Sequence, residues 1–151
     1  MSATLPAPRF AMTDRTARPF AAMMRLEEAI ELDEGVHALV RVRASQINGC
    51  AFCIDMHWRE ARAAGASEQR LYSLDAWRES PLYDARERAA LELCEALTLI
   101  AGAHPPEDVW SRAAAEFPTN ELAHLVFAIT AINAWNRLVI SAGTRPGSVE
   151  L

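Results

Sequence analysis

The stretch from Asn120 to Ala142 constrains the fold more than any other. Between Glu121 and Arg137 it contains no Asp, Glu, Lys or Arg. Leu122, Leu125, Val126, Ile129 and Ile140 make one helical stripe, and Phe127, Ala128, Ala131 and Trp135 fill much of the other side. A helix apolar nearly all round is buried, either centrally or against another subunit. Gly143 is placed to end it. Asn133 and Asn136 lie on this apolar surface, and buried amides must be paired, so they are expected to fix a backbone or subunit contact.

The rest of the chain has the same period. Pro19 opens a helix to about Leu32, with Phe20, Met23, Met24, Glu27 and Ile30 on its inner stripe. The acids Glu28, Glu31, Asp33 and Glu34 crowd its end, against the helix dipole. Val36 to Ile47 reads as a second helix, with Arg43 beside its apolar face and in need of a carboxylate or carbonyl. Asn48-Gly49 breaks it, and Cys50 to Ala64 forms a third helix, with Gly65 suited to its end. A short helix runs from Ser67 to Trp77. Asp84 and Glu87 form a capping box for a helix carrying Ala90, Leu93, Cys94, Leu97, Ile100 and Ala101 on its stripe and ending at Gly102. His104 to Phe117 is another, and Thr119 is the expected N-cap of the last. No segment has strand period. The expected class is all-α, about six or seven helices in one domain over residues 19–145, with an N-terminal arm at 1–18 and a tail at 146–151.

Bulk properties narrow the function classes. A chain of 151 residues fits one domain with a substantial core. Its net charge of -5 argues against nucleic acid, which favours a basic footprint. No run approaches the roughly 20 apolar residues of a membrane span, and the first 19 residues lack the apolar core of a secretory signal. Three cysteines, two of them three residues apart, do not make a secreted disulfide framework. The cytoplasm is the expected location.

The chemistry concentrates between Cys50 and His57. Cys50, Cys53 and His57 are spaced three and four residues apart, which puts them on one face of a helix. Three readings stand side by side. Two cysteines can fall together by chance. Cys50, Cys53 and His57 can be zinc ligands, though a closed site wants four and no second CxxC or HxxxH is present. The pair can be a redox dithiol, because a cysteine at a helix N-terminus faces unsatisfied N–H groups that favour the thiolate. By register His57 is nearer Cys53, which makes Cys53 the candidate attacking thiolate and His57 a base or proton relay. Cys94 reads as a free core cysteine, and His37 and His104 as structural or exposed.

The run Arg43-Ala-Ser45-Gln46-Ile-Asn48-Gly49-Cys50-Ala-Phe-Cys53-Ile-Asp55-Met56-His57 closely resembles the signature of the AhpD-like alkylhydroperoxidases, within the carboxymuconolactone decarboxylase superfamily. Trp77-Arg78-Glu79-Ser80-Pro81, Glu87-Arg88-Ala89-Ala90 and Asn133-Ala134-Trp135-Asn136-Arg137 are similar to it as well, so the resemblance covers about residues 20–145. It implies an all-α homo-oligomer, a trimer or hexamer, that reduces alkyl hydroperoxides without a cofactor or metal. It also implies that Cys53 is oxidised to a sulfenic acid, that Cys50 resolves it to a disulfide, and that a dithiol reductant restores the pair.

The chain departs from that pattern twice. Ala38 stands where the best-studied members carry a relay glutamate, twelve residues before the first cysteine. Glu34, one turn upstream on the same face, is the candidate substitute, displaced by roughly 6 Å along the axis. Phe52 stands where those members have a histidine between the cysteines. Two other functions remain open at this stage. A lactone decarboxylase or isomerase would keep its activity without either thiol. A non-enzymatic redox sensor would change mass or assembly on oxidation without turning over peroxide.

Overall fold

The fold is described from a computed structural model for residues 7–11 and 17–147. Among these residues there are seven α-helices, a single 3₁₀ turn and no strand. The helices are α1 (Ala17–Glu28), α2 (Glu34–Asn48), α3 (Ala51–Ala63), α4 (Glu68–Tyr72), α5 (Ala85–Thr98), α6 (Glu107–Glu116) and α7 (Thr119–Ala142), with the 3₁₀ turn at Leu74–Ala76. The all-α expectation holds. Of the expected arm and tail, residues 1–6, 12–16 and 148–151 lie outside the described part.

Helix α2 is the hub, packed against α3, α5 and α7. Its Val36, Val40 and Ala44 meet Ala90, Leu93 and Cys94 of α5 and Leu125, Ile129 and Ile132 of α7 in the main core, with Phe117 closing one end. Burying each large side chain there contributes about 1.5–3 kcal/mol. The opposite face of α2 offers Leu39 and Val42 to a second cluster with Leu74, Trp77, Tyr83 and Leu91. Both faces of α2 are therefore occupied. Its C-terminal end, where the dithiol begins, is held from two sides.

Local signals explain most boundaries. The capping box at Asp84 and Glu87 forms in both directions, and Ser67 caps α4 by accepting from Arg70 N. Gly49 and Gly143 take left-handed φ values of 68° and 76° and end α2 and α7. Arg43 finds its expected carboxylates in Glu95, at 2.8 Å, and Asp75.

Other expectations are corrected. Helix α1 ends at Glu28 rather than Leu32, and Asp33 caps α2 by accepting from Val36 N at 3.0 Å. Asp33 and Glu34 thus sit at a helix N-terminus, where the dipole favours acids. Helix α5 stops at Thr98 and turns, leaving Ile100 and Ala101 exposed instead of on the buried stripe. Thr119 is the first residue of α7 and Pro118 its cap position, with no side-chain cap bond. Phe127 and Ile140 are 54% and 46% exposed, so α7 is not covered all round by this chain. At 24 residues α7 is also long and apolar enough to cross a membrane by length and composition alone, contrary to the expectation from sequence. Its inner face, from Leu125 to Ala142, is packed in the protein core, which accounts for that apolarity.

Candidate active site

The dithiol sits where α2 hands the chain to α3. Gly49 turns the backbone in the left-handed region, and Cys50 becomes the N-cap position of α3. Cys50 N donates to Ser45 O at 3.0 Å, which ties the junction back onto α2. Cys53 lies in the first turn of α3, among the N–H groups that have no helical acceptor. Cys50 and Cys53 are joined as a disulfide with their Cα atoms 5.3 Å apart. Both are 1% exposed and pack with Phe52, Met56 and Val139 of α7.

A buried amide network fixes this junction. Asn48 Nδ2 donates to Asn133 Oδ1 and to Asn136 Oδ1, each at 2.9 Å. Asn136 Nδ2 donates to Ser45 Oγ at 3.0 Å, and Ser45 Oγ donates to Arg41 O at 2.7 Å. Asn133 Nδ2 donates to Thr98 Oγ1 and Ile129 O. The paired amides anticipated on α7 therefore lock α7 to the C-terminal turn of α2 within one chain.

His57 follows Cys53 by one turn of α3 and is 8% exposed. Its Nδ1 lies 2.7 Å from Glu60 Oε2. That hydrogen bond holds the Glu60 carboxyl below its usual range, against the opposing effect of burial. A carboxylate on one ring nitrogen orients the imidazole and leaves the other nitrogen for proton transfer. The expected register of Cys53 and His57 is present.

Both groups open onto a cavity of about 620 Å³. Its wall is mostly apolar, with Phe20, Met24, Phe52, Met56, Trp135 and Val139, and its polar groups include Glu27, Arg41, Cys53, His57 and Glu60. Phe20 meets Trp135 edge-on, with ring centroids 5.5 Å apart. Residues Pro8, Phe10 and Ala11 of the arm close one side, held by Arg9, whose N–H donates to Ala142 O at 2.7 Å and whose guanidinium donates to Ser141 O. The described part of the arm, residues 7–11, docks against the end of α7.

Glu34 is exposed in the first turn of α2 and does not line this cavity. The carboxylates that do are Glu60 and Glu27. Glu27 of α1 accepts from Arg41 of α2 and from Trp135 Nε1 of α7, the latter at 3.3 Å. His37 Nε2 is 3.6 Å from the same carboxylate. Burial, then Arg41, pushes the His37 pKa down to about 4, so it is neutral at pH 7. The Glu27 position on the inner stripe of α1 was legible in sequence, but its neighbours were not. Glu60 carried a usable signal, since it is three residues past His57 on the same helix.

Cys94 is remote from the dithiol. It is fully buried, its thiol donates weakly to Val40 O at 3.6 Å, and burial pushes its pKa up to about 12. Among the described residues no group of three or more His, Cys, Asp or Glu comes together to hold a metal ion.

The carboxymuconolactone decarboxylase family model matches residues 18–96, just over half the chain, and that match takes in α2, the dithiol and α3. The chain belongs to the carboxymuconolactone decarboxylase family. A curated relative, the uncharacterized protein YdfG of Bacillus subtilis, is 40% identical over 126 residues, covering 83% of this chain and 86% of that protein. Among solved structures, the Agrobacterium tumefaciens protein of unknown function ATU0492, provisionally called an AhpD antioxidant defence protein, superposes with a TM-score of 0.90 at 38% identity. That match covers 95% of this chain and all of the other. An uncharacterized peroxidase-related protein from Ralstonia eutropha, with an alkylhydroperoxidase AhpD core, shares the fold at a TM-score of 0.71 and 22% identity, over 87% of this chain and 73% of that one. The fold is AhpD-like, and a CxxC pair is present as Cys50 and Cys53.

Proposed function

We propose that this family member is a thiol peroxidase that reduces organic hydroperoxides with electrons from a dithiol. The observation that carries the reading is Cys53 in the first turn of α3, facing an apolar cavity beside the His57–Glu60 pair. The Cys53 thiolate attacks the terminal peroxide oxygen, and the O–O bond breaks. The alkoxide leaves as an alcohol with a proton relayed by His57. Cys53 is then a sulfenic acid. Cys50 attacks its sulfur, hydroxide leaves as water, and the Cys50–Cys53 disulfide is the product. Glu60 holds His57 in position, and Glu34, which the sequence offered as a relay group, lies outside the cavity.

A dithiol cycle of this kind runs in a reducing compartment, and the cytoplasm is the proposed location. A homo-oligomer is part of the reading. Phe127 and Leu138 are exposed on one face of α7, eleven residues apart, and a second copy would cover them. Light scattering on the purified protein should return a trimer or hexamer.

The deciding experiment follows consumption of cumene hydroperoxide with dithiothreitol as donor, in wild type and Cys53→Ser. Wild type should turn over and Cys53→Ser should not. Cys50→Ser should stop after one equivalent of peroxide. Full turnover by Cys53→Ser would remove the thiol from the chemistry and favour an acid–base lactone enzyme. Disulfide formation without turnover in wild type would favour a redox sensor.

A further inference from the structure

The disulfide has a second opening. Behind the catalytic cavity lies a smaller one of about 190 Å³, lined by Cys50 but not by Cys53. The large cavity is lined by Cys53 but not by Cys50. Phe52, Val139, Thr144 and Arg145 border both spaces; Phe52 and Val139 are 8% and 4% exposed and belong to the same packed cluster as the two sulfurs, while Thr144 and Arg145 form the shared outer rim. Phe52 and Val139 form the partition between the cavities beside the sulfurs. Ala51, Ile140 and Pro146 border the small cavity alone, while Met24 and Trp135 border the large one alone.

We propose that the two cavities divide the catalytic cycle, the hydroperoxide reaching Cys53 through the large one and a dithiol reductant reaching Cys50 through the small one. This rests on the dithiol cycle described above. The volumes suit the division. Pockets for drug-sized organic ligands measure about 300–1,000 Å³, a range that includes the 620 Å³ cavity and excludes the 190 Å³ one. The small space admits a thiol on a slender arm.

The direction of attack also suits the chemistry. A reductant thiolate attacks Cys50 Sγ, the Cys50–Cys53 bond breaks, and the electron pair leaves on Cys53. That charge falls in the first turn of α3, among N–H groups without helical acceptors. The reductant's second thiol then attacks the reductant sulfur of the mixed disulfide and expels Cys50 as a thiolate. The reductant ends as a disulfide, two electrons have passed to the protein, and the two protons released from the reductant restore the thiols. Attack on Cys53 instead would require the reductant to enter the hydroperoxide's cavity and would leave the charge on Cys50, at the cap position.

The test separates the half-reactions. The protein is oxidised with diamide, so the reductive arm can be read whether or not hydroperoxides are substrates. Mercaptoethanol is added, the reaction is quenched with acid within milliseconds, and the adduct is located by peptide mass mapping. The adduct is expected on Cys50, and an adduct on Cys53 would overturn the proposal. In stopped flow, Ile140→Trp should slow reduction by dithiothreitol about tenfold more than it slows oxidation by cumene hydroperoxide, and Met24→Trp should show the reverse bias. Equal effects of each variant on both halves would show a single shared entrance. If wild type is not oxidised by hydroperoxide at all, the peroxidase reading fails, while the adduct position still decides where a reductant enters.

Discussion

Substituting His37 by leucine should make the protein more resistant to acid. His37 is 8% exposed and neutral, with its pKa lowered from 6.5 to about 4 by burial and then by Arg41. Glu27, His57 and Glu60 also face it, and the carboxylates only partly oppose the shift. The unfolded chain therefore takes up a proton at a higher pH than the folded one. The neutral form's contribution is complete above about pH 6.5 and is lost as pH falls from there toward 4. At about 1.36 kcal/mol per pKa unit, the loss is at most about 3 kcal/mol. The leucine variant has no such group. It should be less sensitive to pH across that window, whatever its stability at pH 7. Urea unfolding at half-unit steps from pH 7.5 to about 4 should show the stability gap between the two proteins shifting toward the variant by about 2–3 kcal/mol. Parallel profiles would refute the reasoning, since they would mean that His37 titrates alike in the folded and unfolded chains.

Four further outcomes follow from the geometry. Glu60→Gln removes the charge that orients His57, and the rate of Cys53 oxidation by hydroperoxide at pH 7 should fall about tenfold; an unchanged rate would take Glu60 out of the relay. Glu95 accepts from Arg43, Trp77 and Arg78, so Glu95→Ala should cost about 3 kcal/mol in chemical denaturation by leaving a half-buried guanidinium short of a partner. Gly49→Ala places a Cβ in open space at φ 68°, so it should cost only the backbone term of about 1–2 kcal/mol, read as a lower urea midpoint. Cys94, buried with its pKa pushed up to about 12, should stay silent to Ellman's reagent in the reduced native protein and appear as a third thiol only on unfolding.

What sequence alone revealed divides along the range of the interactions involved. The caps at Asp84 and Ser67, the turns at Gly49 and Gly143 and the register of Cys50, Cys53 and His57 are local, because each depends on residues within one or two turns. Arg43 signalled the need for an acid, but Glu95 lies 52 residues away and spacing does not find it. Glu27 shows the same limit, since it enters the cavity from α1. Glu34 was chosen by helical register from Ala38, whereas Glu60 meets His57 from three residues along α3, a local signal. Apolar patterning also overran on α5, because Ile100 and Ala101 continue the stripe of the helix after its backbone has turned. Periodicity reports which side chains avoid water, and it does not report where a helix loses its next hydrogen bond.

Segments before α1 and after α7 both reach the large cavity. Phe10 and its neighbours come from the N-terminal arm, Thr144 and Arg145 follow α7, and Arg9 binds the two together at Ala142 and Ser141. The thiols, by contrast, are set by α2, α3 and α7 in the packed interior. Part of the cavity wall and the setting of the thiols thus come from different parts of the chain. Segments outside a packed core tolerate substitution far better than the core does. A protein built this way can reshape its cavity by changes in these flanking segments while the dithiol geometry stays as it was.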